Sequence, residues 1–359
     1  MAKYRLGDIA PVKQGIVPDS DQYWLLNLDA VESNTGNVLE YVYVDYSQIG
    51  ASTVSFNQQN VLYSKLRPYL NKVVLPDRAG YATSEMLPLM PDEKVITREY
   101  LTFFLRSPHF VEYINGKTSG AKMPRANTAD LKAVEIECPP INEQTRIVSK
   151  INSILTIIAY RKNELLRLDE LIKARFVEMF GDPVSNEKGW TTRPLLDMGS
   201  CKNGMNFHYD DSGVEINCLG VGDFKDYSII ADTAALPTVS LNEMPSPEYL
   251  LRDDDIVFVR SNGNKKMVGR SVAVYPGAVP TTFSGFCIRY RREDNSVITP
   301  YLLRVLKAES MRQKMYGRGA NIQNLNQQTL SSLDIPVPPK AMQEQFAAVV
   351  AQIDKSKVA

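Results

Sequence analysis

Cysteine and histidine are scarce in this chain of 359 residues, with four Cys and two His. Cys138, Cys201, Cys218 and Cys287 form no Cys-x-x-Cys pair, and only His109 and His208 could assist them. Neither a zinc site nor a disulfide framework is therefore indicated, and four reduced, buried thiols are expected. Net charge is missing too, because 41 Lys plus Arg offset 41 Asp plus Glu. That balance excludes a wholesale basic coat for nucleic acid and leaves locally arranged charge open. No apolar run approaches the ~18 residues of a membrane span, and no apolar signal region follows Met1-Ala2-Lys3-Tyr4-Arg5, so a soluble, cytoplasmic protein is expected. With 21 Pro, 20 Gly and 44% hydrophobic residues, collagen-like and disordered classes are excluded and two or three well-cored domains are expected.

Catalytic constellations are equally absent. Gly220-Val221-Gly222-Asp223 is a lone Gly-x-Gly without a third glycine, better read as a strand-edge turn. Cys138-Pro139-Pro140-Ile141 and Val337-Pro338-Pro339-Lys340 lack the Asn/Asp and aromatic residues of an amino-methyltransferase motif. No phosphate-binding Gly-x4-Gly-Lys-Ser/Thr loop occurs, and neither His lies in a nucleophile motif. The expectation is a protein with no catalytic residues, no metal and no cofactor.

What the chain does contain is a copy of itself. Gly120-Ala121, Asn127, Leu131, Ile136, Pro139-Pro140, Gln144, Ile147 and Ile151 recur 199 positions later as Gly319-Ala320, Asn326, Leu330, Ile335, Pro338-Pro339, Gln343, Phe346 and Val350. Leu6-Gly7-Asp8-Ile9 resembles Leu195-Leu196-Asp197-Met198, and Asn60–Lys65 resembles Asp255–Arg260. Each unit begins with short apolar runs punctuated by Gly, Pro, Asn and Asp, read as strands and loops. A helical stretch follows at Arg98–Tyr113 and again at Pro300–Tyr316, and a Pro-Pro stop then introduces a long helix. The reading is an α+β fold: two similar domains of mixed strands and helices, with long helices forming an antiparallel coiled coil about a pseudo-twofold axis. The boundaries read as 1–140, a helix at 141–182, 183–338, and a second helix at 339–359.

From Asn142 to Phe180 the residues Ile147, Ile151, Ile154, Ile158, Leu165, Leu168, Ile172 and Met179 follow an alternation of four and three interrupted only by Arg161 and Arg175, the signature of a coiled-coil seam. At ~1.5 Å per residue such a helix runs about 60 Å. Gly181 and Pro183 supply a stop. The second copy offers Phe346, Val350 and Ile353 as partners, but only 20 residues follow Pro339 whereas about 41 continue the first helix. Either a shorter helix suffices, or the second is truncated, or another chain completes the bundle.

Charge is segregated within the neutral total. Lys65, Arg67 and Lys72 share an acid-free stretch with Tyr69 and Asn71. At the matching place in the second unit, Arg260, Lys265, Lys266 and Arg270 share one with Asn262 and Asn264. A further pair of polar, Gly-containing loops carries Lys122 and Arg125 in one copy and Arg318, Asn321, Gln323 and Asn324 in the other. Lys and Arg neutralise phosphates, while Arg, Asn and Gln can bond base edges in the major groove. One such loop is usually only solvated surface; recurrence at corresponding positions points to DNA contact.

Two globular units, each closed by Pro-Pro-x-x-x-Gln and a long helix, together with Leu62–Leu70 and Met179-Phe180-Gly181-Asp182-Pro183, resemble the specificity subunits of type I restriction-modification enzymes. The resemblance covers nearly the whole chain. It implies two target recognition domains, each reading half of a split double-stranded DNA site, and a coiled coil that docks modification (methyltransferase) subunits. Methylation would then belong to those partners, which carry the methyl donor, and cleavage to a restriction subunit. Two other readings are a coiled-coil scaffold with protein-binding modules, and a methyltransferase or nuclease acting by itself.

Overall fold

The computed structural model describes residues 2–120, 122–207, 212–224, 228–316 and 324–358. The chain divides into two units, Met1–Arg161 and Lys162–Ala359.

In the first unit, β1 (Ala2–Arg5) leads into the short α1 (Leu6–Ile9), followed by β2 (Tyr23–Leu26), β3 (Val42–Val44), β4 (Thr53–Phe56) and β5 (Val61–Ser64). Next come β6 (Val73–Val74), β7 (Gly80–Thr83) and β8 (Met86–Leu89), then α2 (Arg98–Arg106) and α3 (Pro108–Asn115). The unit closes with β9 (Thr118–Ser119), β10 (Arg125–Ala126), α4 (Thr128–Ala133), β11 (Glu135–Cys138) and the start of α5 (Ile141–Phe180). Strand β1 pairs antiparallel with β11, one sheet runs β3-β2-β7-β4 with β2 and β7 parallel, and another runs β6-β5-β8. Strand β2 alternates half-buried Tyr23 and Leu25 with buried Trp24 and Leu26, the period of a one-faced sheet. Trp24, Leu26, Phe56 and Leu62 form one core, and Val61, Tyr63, Leu101, Leu105 and Phe110 another.

The second unit takes the rest of α5, then β12 (Thr192–Pro194), β13 (Gly199–Asn203), β14 (Val214–Leu219), β15 (Ile229–Ile230) and β16 (Thr238–Leu241). Strands β17 (Asp255–Val259), β18 (Ser271–Val274), β19 (Thr281–Phe283) and β20 (Cys287–Arg292) precede α6 (Thr299–Lys307) and α7 (Glu309–Tyr316). It ends with α8 (Gln327–Ser331), β21 (Asp334–Pro336) and α9 (Lys340–Val358). The pairings repeat those of the first unit: β12 with β21, a β16-β14-β19 sheet with β14 and β19 parallel, and β18-β17-β20 at the centre of a five-stranded sheet flanked by β15 and β13.

Each expected helical stretch is two helices. Ser107 is extended and caps α3, because the following Pro108 disfavours a helical conformation in the residue before it. Ala308 makes the same break without a proline (φ −60°, ψ 136°), which lets Met311 and Met315 of α7 join the core of the second unit. The Pro-Pro-x-x-x-Gln motif has one structural meaning in both units. Gln144 is fully buried, accepts from the Thr97 amide at 2.9 Å and donates to the carbonyls of Val95 and Pro139, each at 2.8 Å. Gln343, also fully buried, accepts from the Ile298 amide at 2.9 Å and donates to Ser296 and Pro338, each at 2.9 Å. Each glutamine thus satisfies three buried backbone groups and fixes a long helix to its own unit.

Helices α9 and α5 are antiparallel within the second unit. Phe346 near the start of α9 meets Phe176 and Phe180 near the end of α5, while Lys357 bonds Asp169 at 2.7 Å. Of the seam residues expected from the sequence, Ile172, Phe346 and Ile353 are buried, with Leu168 and Val350 packed against their cluster. Leu165, Ile147 and Ile151 are half-buried. Ile154 and Ile158 depart from the expectation at 56% and 45% exposed, because α9 meets the second half of α5 and among the described residues no helix lies along the first. Phe176 and Phe180, outside the expected seam, are buried instead. Cys138, Cys218 and Cys287 are buried free thiols and Cys201 is half-buried.

Candidate nucleic-acid interface

Strand β5 hands the chain to Lys65, and the next residues are held by main-chain bonds. The Lys65 carbonyl accepts from the Ala126 amide at 2.8 Å, the Lys65 amide donates to Glu85 at 3.0 Å, and the Arg67 amide donates to Pro124 at 2.7 Å. Leu66 and Arg125 form an isolated β-bridge. Two candidate loops far apart in sequence, at Lys65–Tyr69 and Lys122–Arg125, are thereby joined. Arg67 adopts φ +49°, a left-handed conformation seldom taken by a residue with a long side chain, and stays exposed. Tyr69, at 51% exposure, and Lys122 are exposed as well.

Two residues of this group are engaged inside the fold. Asn71 is buried at φ +50° and donates from Nδ2 to the Arg106 carbonyl at 3.0 Å. Lys72 places Nζ 2.6 Å from the Leu28 carbonyl. Both are structural, which corrects the expectation that they face DNA: the turn that returns the chain from the loop to β6 needs a left-handed Asn, and the Lys amine satisfies a carbonyl. Arg125 is exposed but forks onto Glu85, with Nε and Nη2 each 3.0 Å from Oε1. A stretch free of acids in sequence therefore has a carboxylate beside it in space.

The second unit repeats the arrangement. The Arg260 carbonyl accepts from the Leu325 amide at 2.7 Å, the Arg260 amide donates to Phe286 at 2.8 Å, and Ser261 bridges Asn324. The Arg260 guanidinium is half-buried and donates to the Gly285 carbonyl at 3.2 Å. Asn262 accepts from the Asn264 amide at 2.8 Å and Asn264 from the Lys266 amide at 3.0 Å, two successive Asx turns that shape the loop. Asn264, Lys265, Lys266 and Asn324 are exposed, and Arg270 is half-buried beyond the turn at Gly269. Arg318, Asn321 and Gln323 lie outside the described residues.

Aromatic groups in both units escaped the sequence reading. Phe286 is 60% exposed in the turn that receives the Arg260 amide. In the first unit Tyr23, Tyr46 and Tyr81 form a cluster of edge-on rings, with centroids 5.6 to 6.3 Å apart. Alternation within β2 and β7 was the available signal, but the rings come from three segments separated by up to 58 residues, and only the sheet joins them. Among the described residues no group of three or more His, Cys, Asp or Glu is placed to hold a metal ion, and no helix is long and apolar enough to cross a membrane.

A family model described as the type I restriction modification DNA specificity domain matches residues 1–168 and again 187–359. The StySPI specificity subunit of Salmonella potsdam is 24% identical over 280 residues, covering 73% of this chain and 59% of that protein. The EcoKI specificity subunit of Escherichia coli K12 is 29% identical over 190 residues, covering 49% of this chain and 40% of its own length. The chain thus spans well under two thirds of these curated relatives. Two solved chains share the fold over 99% of this chain and 90% of their own. One, from work on complex assembly and conformational transition of the type I R-M system, has a TM-score of 0.59 at 16% identity. The other is the type I restriction-modification S subunit of M. genitalium, with 0.56 at 14%.

Proposed function

The chain belongs to the type I restriction modification DNA specificity domain family, both halves matching its model, and from this we propose that it is a non-catalytic subunit reading a bipartite double-stranded DNA target. Residues 1–140 would read one half-site and residues 183–338 the other. The supporting observation is the repeated backbone tether, Ala126 to Lys65 and Leu325 to Arg260, which in each unit gathers cationic side chains onto one pair of loops, joined in the second unit by asparagines. On the first unit DNA falls to Lys65, Arg67, Tyr69, Lys122 and Arg125, and on the second to Arg260, Asn262, Asn264, Lys265, Lys266, Arg270 and Asn324. Lysines and arginines there neutralise phosphates and set register, while Asn, Gln and Arg read base edges. Modification (methyltransferase) and restriction subunits assemble on the long helices and perform the chemistry, in the cytoplasm.

Titration of the chain with duplex DNA at rising salt tests this. Binding should weaken linearly on a log–log plot, and charge reversal at Arg67 and Lys122, or at Lys265 and Lys266, should flatten the slope by roughly one for each phosphate left without its cation. Binding indifferent to salt and to these substitutions would favour the scaffold reading. Methyl transfer by the chain alone would refute the non-catalytic one.

A further inference from the structure

A cavity of about 140 Å³ opens between α6 and α9 of the second unit, with Ile172 of α5 and Ala273 of β18 completing its wall. Helical spacing builds it. Leu303, Arg304 and Lys307 share one face of α6, and Phe346, Ala347 and Val350 share one face of α9. The short side chain of Ala347 leaves room between them, and Ile172, Leu303, Phe346 and Val350 make the interior apolar. An apolar cavity of about 150 Å³ accepts a benzene ring. This one therefore admits a single body of about six carbons, and a helix, at roughly 10 Å across, is too wide for it.

Charge sets the sign of the occupant. Three bases and two acids line the cavity, and both acids, Asp169 and Asp354, already bond Lys357, at 2.7 and 2.8 Å. Arg304 and Lys307, one helical turn apart, form its cationic end. Lys307 Nζ donates to Ser228 Oγ at 2.8 Å. Burial lowers the Lys307 amine to about 8 and lowers the Arg304 guanidinium as well, so a bound anion would offset a cost that both cations bear. The first unit shows that the repeated fold does without this end. Phe103 stands at the position of Arg304, and Arg106, at that of Lys307, donates from Nε and Nη2 to the Val73 carbonyl at 3.2 and 2.6 Å. An excess of one positive charge in apolar surroundings, where a dianion is costly to desolvate, favours a monoanion. The planar guanidinium fork favours one with two coplanar oxygens.

We infer that the cavity between α6 and α9 binds a small monocarboxylate with a ring or chain of about six carbons, its carboxylate on Arg304 and Lys307 and its apolar body against Leu303, Phe346 and Val350. Such a ligand touches α5, α6 and α9 at once, and so ties the end of the long helix to the second unit.

Benzoate and hexanoate, titrated into the full chain by calorimetry, are the probes. One site per chain is expected, with slower hydrogen exchange at residues 300–307 and 346–351. Benzyl alcohol keeps the ring without the charge, and inorganic phosphate keeps charge without the apolar body; each should bind at least about tenfold more weakly, the loss of a charged hydrogen bond or of the buried ring. Arg304→Gln removes one cation and Ala347→Leu fills the space, and each should weaken benzoate by about tenfold or more, while urea unfolding without ligand verifies that both variants fold. Affinity should also fall as pH rises through about 8, where Lys307, set among Arg304, Arg270, Arg312 and Asp169, loses its proton. Three results would overturn the inference: no saturation up to about 10 mM, benzyl alcohol or phosphate binding as tightly as benzoate, or benzoate binding unchanged by either substitution. The titration contains no DNA, so its failure and failure of the DNA reading are told apart.

Discussion

Gln144 and Gln343 show how much one side chain can decide. Each closes hydrogen bonds to an amide and two carbonyls that would otherwise be buried unpaired. Replacing either by Ala should lower stability by about 2 kcal/mol or more, read from urea unfolding, because stranded polar groups cost more than the bonds themselves contribute. Their importance was legible as a repeated motif; their role was not, since the partners lie up to 49 residues away. The basic loops divide in the same way. Arg67, Tyr69 and Lys122 are exposed as their sequence suggested, whereas Asn71 and Lys72 are consumed by backbone carbonyls. Composition cannot separate a lysine that faces solvent from one that serves a turn. Lys307 provides a pH signature. Burial, reinforced by Arg304, Arg270 and Arg312 and opposed by Asp169, lowers its amine from 10.5 to about 8. Between those values the unfolded chain holds a proton that the folded chain lacks, so stability from this group rises with pH across the window and is reduced below it. The stability of the parent relative to Lys307→Met should therefore climb from pH 7 to pH 10 in paired denaturant titrations.

At the scale of elements, α5 was the most legible feature, and its start and stop fall at Ile141 and Phe180. A sustained four-three apolar alternation has few meanings other than a long helix. Which part of the stripe is covered was not legible, because coverage belongs to the partner. A seam drawn through the alternating apolar residues passed over Phe176 and Phe180, which carry the packing at the end of the helix. Phe180→Ala should cost about 3–5 kcal/mol, a large-to-small change in a fully packed site, whereas Ile158→Ala on the exposed half should change stability by less than about 0.5 kcal/mol. Thermal melts of the two variants side by side would measure the contrast. The breaks at Ser107 and Ala308 show a similar limit: one is announced by a proline, and the other repeats it with no local signal.

At the scale of the molecule, the duplication was visible in the primary structure, and the strand topology follows it closely. The parallel pairs β2·β7 and β14·β19 recur, as do the antiparallel trios around β5 and β17. The parallel pairings join residues more than 50 positions apart, so a repeat can say that two topologies agree without saying what they are. If each unit reads its own half-site, substitutions at Arg67 and Lys122 should alter one half of the methylated target and those at Lys265 and Lys266 the other. Mapping methylated bases in host DNA for each variant would check this. The tether behind that division uses only peptide groups: an amide of Ala126 or Leu325 meets a carbonyl of Lys65 or Arg260. Main-chain atoms are the same whatever side chain they carry, so the loops' geometry is inherited while their side chains can be rewritten; if these loops read DNA, new target sequences are reachable by substitution alone.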